Sequence, residues 1–143
     1  MAYRKILLAL DLSTNTQLLC DRALDLANCN QSQLSLIHVV EPLVMEYAYD
    51  ALPMMPVGVE GEIVKRARKE IRRLADTLGI PEERCWVELG ATKSEILRIA
   101  REHSFDLVII GSHGRHGVEL LLGSTANAVL HGAPCDVLAV RVG

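Results

Sequence analysis

The chain has 143 residues, of which 50% are hydrophobic, 23% charged and 3% aromatic, and its formal net charge is -3 at pH 7. This length suits one domain, residues 1–143, with an aliphatic core that buries roughly 70% of the surface of the unfolded chain. The small negative charge gives no field that would recruit nucleic acid or an anionic membrane, and no apolar run reaches membrane-spanning length. Because the N-terminus also lacks a signal cleavage site, the sequence predicts a cytoplasmic protein without nucleic-acid or membrane partners.

The N-terminal part predicts a buried strand followed by an amphipathic helix. The unbroken apolar run at residues 6–10 ends in Asp11, which is typical of a central strand covered on both faces. Thr14 and Gln17 fit a capping box, and leucine and alanine at helical spacing continue until the helix ends near residues 28–30. The sequence therefore predicts a first β-α unit.

The second strand leads into an irregular segment. Residues 34–40 are apolar except for Ser35 and His38, and we expect His38 to be a core histidine bonded to neighbouring backbone, because no partner for a catalytic base is evident. Residues 41–58 hold three prolines, three methionines and two tyrosines, which exclude a regular strand or long helix. This segment could be a flap over a ligand, a subunit contact, or a loop folded back on its own domain.

A basic amphipathic helix is predicted over residues 60–78. Gly79 followed by Pro81 is typical of its C-terminus. Six basic residues fall within nine positions, at Lys65, Arg66, Arg68, Lys69, Arg72 and Arg73. They could bind phosphate or nucleic acid, but acidic neighbours and the lack of aromatic stacking residues favour a solvated face.

The C-terminal half predicts three more strands and two more helices. Residues 85–89 hold the only tryptophan and are predicted as an edge strand, after which Thr92 and Glu95 fit a second capping box. Apolar runs at residues 107–110 and 137–140 complete five strands that alternate with four helices. This alternation predicts an α/β fold, a single doubly wound parallel sheet with helices on both faces.

A glycine-rich turn follows the apolar run at residues 107–110. Three glycines come within seven residues, at Gly111, Gly114 and Gly117, and they allow a ligand to approach main-chain N–H groups. Gly123 then precedes Ser124 and Thr125 at the predicted start of a helix. The free N–H groups and positive dipole end of that helix, beside two hydroxyls, predict a site for an anion such as phosphate.

The cysteines and a pair of histidines do not predict a metal centre. Cys20, Cys29, Cys85 and Cys135 include no C-x-x-C pair, which favours free thiols packed as small hydrophobes. His113 and His116 are close in sequence, but a glycine loop does not fix both rings on one face, and a metal needs three or four convergent ligands. We expect both histidines to lie in a solvated loop.

The glycine turn and its surroundings resemble the universal stress protein family. The nucleotide-binding signature of its ATP-binding branch is usually written G-x2-G-x9-G-[S/T], and here Gly111, Gly114 and Gly123-Ser124 match it with a spacer one residue shorter. Similarity extends over nearly the whole chain, through RKILLALDLS, LSLIHVVEP, SEILRIAREHSFDLVIIGSHGR and GSTANAVLHGAPCDVLAVR. The glycine pattern alone is a weak signal, whereas this coverage makes the resemblance specific.

The resemblance implies a Rossmann-like sheet of order 3-2-1-4-5. Right-handed crossovers and the burial of the two purest apolar runs also place strands one and four at the centre. In that order Asp11 and Gly111 meet at the crevice where the winding reverses, which is where open α/β sheets bind ligands. The resemblance implies that ATP lies there, with the adenine edge at the backbone of Val39 and the ribose against Ile110 and Gly111.

The phosphate end of the site is predicted from the chemistry of the turn. Phosphates would be held by backbone N–H groups around Gly114, Gly123, Ser124 and Thr125. Asp11 would contact either the ribose or a phosphate-bound Mg²⁺. Arg115 could add a charge-assisted bond to a phosphate or could face solvent. No Gly-Lys-Ser/Thr occurs, so the turn is not a Walker A loop.

Three classes of function remain open. The first is an ATP-binding regulatory stress-response protein that acts through nucleotide-dependent dimer or partner contacts. The second is a dimeric interaction protein that has lost nucleotide binding, which the shorter spacer favours and the retained glycines oppose. The third is a slow ATPase or nucleotidyl hydrolase, which the lack of a nucleophile paired with a base opposes.

The last strand is also a predicted dimer interface. It lies at an edge in the inferred order, and little charge protects its apolar residues, Val137, Leu138, Ala139 and Val140. Two copies could pair antiparallel about a two-fold axis, and the family resemblance implies the same homodimer. The alternative is an edge covered by residues 41–58.

Overall fold

The computed structural model describes residues 3–42, 59–113 and 122–142, without the side chains of residues 59 and 60. Within these ranges the elements follow in the order β1 (Lys5–Ala9), α1 (Thr16–Asn30), β2 (Gln33–Val40), α2 (Val59–Leu78), a 3-10 turn (Glu82–Arg84), β3 (Cys85–Leu89), α3 (Thr92–Glu102), β4 (Leu107–Gly111), α4 (Ser124–Gly132) and β5 (Asp136–Val140). The predicted alternation of strands and helices is confirmed.

The strands form one parallel sheet in the order β3-β2-β1-β4-β5, which confirms the predicted doubly wound topology. β1 lies at the centre, where Leu8 is in register with Leu36 of β2 and Ile109 of β4. All three of these side chains are fully buried. The two edges are β3 and β5, as the sequence predicts.

Each face of the sheet buries its own aliphatic core because alternate side chains of a strand point to opposite faces. Under α1 and α2, the sheet contributes Ile6, Leu8, Leu34, Leu36, Leu107 and Ile109. Under α3 and α4, it contributes Leu7, Ala9, Ile37, Val39, Val108 and Ile110. The central strands are therefore apolar on both faces, which explains the unbroken apolar runs in the sequence.

Two helix ends follow the sequence signals closely. α1 is followed by Gln31 in the left-handed region, with φ 55°. α2 is followed by Gly79 with φ 71°, and the N–H of Ile80 donates to the carbonyl of Ala75 at 2.8 Å. Both geometries satisfy carbonyls of the last helical turn.

Both predicted capping boxes are wrong. α1 is preceded by Asn15 rather than Thr14, and the hydroxyl of Thr16 donates to the carbonyl of Ser13 at 2.8 Å. α3 is preceded by Ala91, so Thr92 is already the first helical residue. For α3 the hydroxyl that local spacing assigns to the cap instead donates to the distant Glu41 carboxylate.

Of the remaining side-chain predictions, the structure confirms one and contradicts another. Nδ1 of His38 lies 2.7 Å from the carbonyl oxygen of Leu10, which confirms the expected bond to backbone. Cys20 is packed in the core, where burial raises the pKa of its thiol to about 11, whereas Cys29 is exposed, so the packing prediction is wrong for Cys29. No helix in the described ranges is long and apolar enough to cross a membrane.

Candidate functional site

A cavity of about 760 Å³ lies at the carboxyl ends of β1, β2 and β4. Its wall includes residues from the first turns of α3 and α4 and from the turn before α1. The volume falls within the range of roughly 300 to 1,000 Å³ that is usual for small-molecule sites. The position is where the winding of the sheet reverses, between β1 and β4.

The structure brings the predicted site residues together around this cavity. It is lined by each predicted residue that the structure describes, namely Asp11, Val39, Ile110, Gly111, Gly123, Ser124 and Thr125. The other two, Gly114 and Arg115, lie outside the described residues, as does His116. Residues far apart in sequence, such as Asp11 and Thr125, therefore share one concave surface, as the strand order requires.

The first turn of α4 presents backbone N–H groups to the cavity. Gly123 is the N-cap, and its carbonyl accepts the first helical bond from Asn127 at 2.9 Å. Among the described residues, no side chain caps this helix. The N–H groups of its first turn and the hydroxyls of Ser124 and Thr125 can therefore serve an anionic ligand.

Ser112 holds this helix start beside the ends of two strands, a role that the sequence analysis does not assign. Its carbonyl accepts from Gly123 N–H at 2.7 Å, and its own N–H donates to the carbonyl of Val140 at 2.8 Å. Its hydroxyl oxygen accepts from Val142 N–H at 3.2 Å. Only the position of Ser112 inside the glycine motif could have drawn attention to it.

Asp11 is oriented by a tight turn after β1. Its Oδ1 accepts from the N–H of Ser13 at 3.0 Å, and between them Leu12 has φ 57°, a left-handed conformation that is unfavourable for leucine. Such backbone strain concentrates where a turn must aim a functional group. The half-buried carboxylate retains acceptor capacity for a ligand hydroxyl or a metal ion.

Histidine and glutamate side chains extend the cavity wall beyond the predicted residues. Nδ1 of His113 is buried and has no hydrogen-bond partner within the described part of the chain. Because a buried polar atom without a partner is costly, it indicates a contact that a ligand could complete. Glu41 and Thr92 also line the cavity, and the carboxylate of Glu41 accepts a 2.8 Å hydrogen bond from the hydroxyl of Thr92.

These features fit a ligand with an anionic end and an apolar body. Within the described ranges the first turn of α4 has no side-chain cap and Nδ1 of His113 has no partner, so both suit phosphate oxygens. Apolar surface comes from Ala9, Ile37, Val39 and Ile96. Residues 3–42, 59–113 and 122–142 contain no cluster of three or more His, Cys, Asp or Glu side chains placed to hold a metal ion.

The arrangement has the architecture of the open α/β proteins that bind ligands at the switch point of a parallel sheet. The sequence profile of the universal stress protein family matches residues 2–141. The chain belongs to this family. Its similarity to universal stress protein A homolog 2 of Coxiella burnetii reaches 46% identity, over 98% of this chain and 96% of that protein.

Solved structures support the same fold. The hypothetical protein MJ0577, which was studied for a structure-based assignment of its biochemical function, has a TM-score of 0.80 and 22% identity, and the match covers 100% of this chain and 99% of that one. A universal stress protein in complex with cAMP has a TM-score of 0.68 and 20% identity, with both chains covered completely. At these identities the two matches establish the fold alone.

Proposed function

We propose that this universal stress protein binds ATP with Mg²⁺ in the cavity at the carboxyl ends of β1, β2 and β4. It acts in the cytoplasm as a regulatory protein whose dimer or partner contacts depend on the bound nucleotide. One observation carries the proposal: the predicted nucleotide-contacting residues that the structure describes all line that cavity. The cAMP complex of a universal stress protein with this fold adds support, since that protein binds a nucleotide.

Different residues contact the phosphates, the adenine and the ribose of the nucleotide. Backbone N–H groups at Gly123, Ser124 and Thr125, with Gly114 and Arg115 of the same motif, hold the phosphates. The wall at Val39 takes the adenine, and Ile110 and Gly111 take the ribose. Asp11 contacts the ribose hydroxyls or the metal ion. When bound, Mg²⁺ neutralises charge on the phosphate oxygens.

Calorimetry on the purified protein tests the proposal. We expect ATP to bind with measurable heat and to raise the melting temperature, with and without Mg²⁺, because binding to the folded state stabilises it. Cyclic AMP in a parallel titration shows whether the site prefers a triphosphate or a cyclic monophosphate. Absence of both heat and thermal shift at millimolar ATP and Mg²⁺ would contradict the proposal.

The shorter spacer between Gly114 and Gly123 favours a second candidate, an interaction protein without bound nucleotide. The two candidates differ in what the protein carries when it is purified. Denaturing the purified protein and analysing the released small molecules by mass spectrometry separates them. Stoichiometric adenine nucleotide supports ATP binding, and its consistent absence together with absent calorimetric heat supports the second candidate. Release of ADP from added ATP would instead indicate slow hydrolysis.

We also propose that two copies pair through β5. Within the described residues β5 pairs only with β4, so its other side is an open edge. Leu138 is 40% exposed, Ala139 is also exposed, and neither carries charge. An open apolar edge of this kind is a template for pairing with another strand, and an isologous pair of β5 strands would cover it.

Proline substitution in β5 tests this interface. The N–H groups of successive strand residues point to opposite sides of the strand. One of the two substitutions Leu138→Pro and Ala139→Pro therefore removes an outward donor, and the other removes a donor to β4. We expect the variant that loses the outward donor to be a folded monomer in sedimentation at tens of micromolar. The variant that loses the inward donor is its matched control and should be less stable. A wild-type monomer, or two proline variants that are both fully dimeric, would exclude β5 as the interface.

A further inference from the structure

Glu41 joins the end of β2 to the start of α3. One carboxylate oxygen, Oε1, accepts from the N–H of Thr92 at 3.1 Å and from its hydroxyl at 2.8 Å, across 51 positions of sequence. The hydroxyl bond is the main cause that lowers the pKa of Glu41, and the backbone bond is the second cause. Glu41 thus supplies the cap that α3 does not obtain from Ala91.

This contact holds a part of β2 that lies beyond its registered pairing with β1. The register of β1 with β2 ends at Ile37, whose carbonyl accepts the last bond, from Leu10. Beyond it, Val39 and Val40 are in register only with β3. The carbonyl of Val40 accepts from Gly90 N–H at 3.0 Å, so in the described structure this bond and the Glu41 contact add to the pairing with β3 and to the contact of His38 with Leu10 in holding the end of β2.

A direct contact between the Glu41 carboxylate and the phosphates of a ligand is disfavoured by charge. Glu41 and Thr92 both lie on the cavity wall, so a polyphosphate bound in the cavity would be repelled by the carboxylate. An acidic side chain at this position is more easily understood if its hydrogen bonds hold the wall in place. A repelling charge and an anchor predict opposite changes in ligand affinity when Glu41 is replaced. Removal of a repelling charge strengthens anion binding, whereas removal of an anchor weakens ligand binding.

We propose that Glu41 is a positioning residue of the ligand cavity: through Thr92 it fixes the last residues of β2, and with them the wall at Val39, against the first turn of α3. The ligand part of this inference rests on the proposed nucleotide binding, since Val39 is the predicted adenine contact. The anchoring part rests only on the contacts of Glu41 and Thr92.

Calorimetry on Glu41→Ala and Thr92→Val, with adenosine, ATP and tripolyphosphate as probes, tests whether Glu41 affects ligand affinity. We expect adenosine and ATP to bind roughly tenfold more weakly to Glu41→Ala, the lower end of the usual effect of losing a hydrogen bond to a charged group, whereas tripolyphosphate affinity does not fall. The double variant should bind no more weakly than Glu41→Ala, because both substitutions remove one shared contact. Glu41→Gln, which keeps an acceptor oxygen, should recover most of the affinity.

Glu83→Ala is the matched control, since Glu83 is an exposed glutamate that does not line the cavity. It removes the same charge and should leave adenosine affinity unchanged. If wild-type protein binds adenosine or ATP and Glu41→Ala binds them equally well or more tightly, Glu41 does not position the wall.

Amide hydrogen exchange tests the anchoring part without any ligand. Loss of the Glu41 contact should speed exchange at the Gly90 N–H, which bonds to Val40, by about tenfold, while the central amides of β1 are unaffected. Unchanged exchange at Gly90 in both Glu41→Ala and Thr92→Val overturns the inference. If wild-type protein binds no nucleotide, the proposed function fails, and exchange at Gly90 still decides whether Glu41 anchors β2.

Discussion

The two ends of the parallel sheet differ in how their polar groups are used. At the amino end, Oδ2 of Asp106 accepts from the N–H groups of Arg4 and Lys5 at 2.7 and 2.9 Å. Nearby, Tyr3 donates its hydroxyl to Asp136 at 3.0 Å, and its carbonyl accepts from the hydroxyl of Ser32 at 2.7 Å. At the carboxyl end, the first turn of α4 has no side-chain cap among the described residues.

This difference shows which end is structural and which is available for binding. Side chains at the amino end form hydrogen bonds with backbone groups at the start of the first strand and connect this strand to neighbouring elements. Substitutions there should therefore alter the stability of the fold. The carboxyl end keeps backbone donors, a strained turn at Leu12 and a nitrogen of His113 that has no partner among the described residues, all around an open cavity. Substitutions there should alter ligand binding, with small or opposite effects on stability.

Ser124→Asp should produce the largest separation between binding and stability. A carboxylate in the first turn of α4 should lower ATP affinity on the order of a hundredfold, because like charges about 4 Å apart near a protein surface repel by several kcal/mol. The same charge complements the helix dipole and should raise the free energy of unfolding by about 0.5 kcal/mol. Titration calorimetry and urea denaturation measure the two effects. Ser124→Ala is the control, and a decrease in both quantities for Ser124→Asp would refute the separation.

Asp106→Ala should destabilise the fold and leave the ligand site intact. Loss of two hydrogen bonds to an ionised, partly exposed carboxylate should lower the free energy of unfolding by about 2 kcal/mol. Urea denaturation measures this loss, with Asp136→Ala, which loses only an exposed bond to Tyr3, as the milder control. Once folded, Asp106→Ala should bind ATP with wild-type affinity, and a selective loss of affinity would contradict the division between the two ends.

The contribution of Asp106 should also depend on pH. Its hydrogen bonds to the backbone of Lys5 and Arg4 hold the pKa of its carboxyl below the ordinary value of 3.8. Because the folded-state pKa is the lower one, the stabilisation is complete above the unfolded-state value and disappears as the pH falls through the folded-state value. The difference in unfolding free energy between wild type and Asp106→Ala should therefore be constant near neutrality and shrink below about pH 4.

Asp11→Asn should have the smallest of these effects, a loss of ATP affinity of roughly fivefold, because the asparagine amide still offers an acceptor oxygen and only the charge is lost. Calorimetry with and without Mg²⁺ assigns the role of the carboxylate. A larger loss with Mg²⁺ assigns it to the metal, and an equal loss in both conditions assigns it to the ribose. Unchanged affinity in both conditions would remove Asp11 from the site.

Much of the fold could be predicted because the central strands are simple in composition. β1 and β4 are unbroken aliphatic runs, and burial on both faces leaves few other interpretations for residues 6–10 and 107–110. Gly79 likewise predicts the end of α2, since its positive φ has a strictly local cause. Helix starts could not be predicted in this way, because the cap of α3 comes from Glu41, which only the folded topology brings to Thr92.

The predicted site residues lie together for a different reason: motif spacing and strand order bring Asp11 and Ser124 to one cavity. The residues that position that cavity carry no such signal. Ser112 and Glu41 act through hydrogen bonds to backbone and side chains far away in sequence, and a serine or a glutamate at a strand end has many ordinary roles. Tertiary contacts of this kind become visible only when coordinates are available.

The three hydrogen bonds of Ser112 have a thermodynamic consequence. They connect Gly123, at the phosphate end of the proposed site, to Val140 and Val142 at the end of the proposed dimer strand. If ligand binding at α4 changes the association free energy of β5, linkage requires association to change ligand affinity by the same factor. Nucleotide affinity would then vary with protein concentration, so the cellular abundance of the protein would itself set the nucleotide level to which it responds.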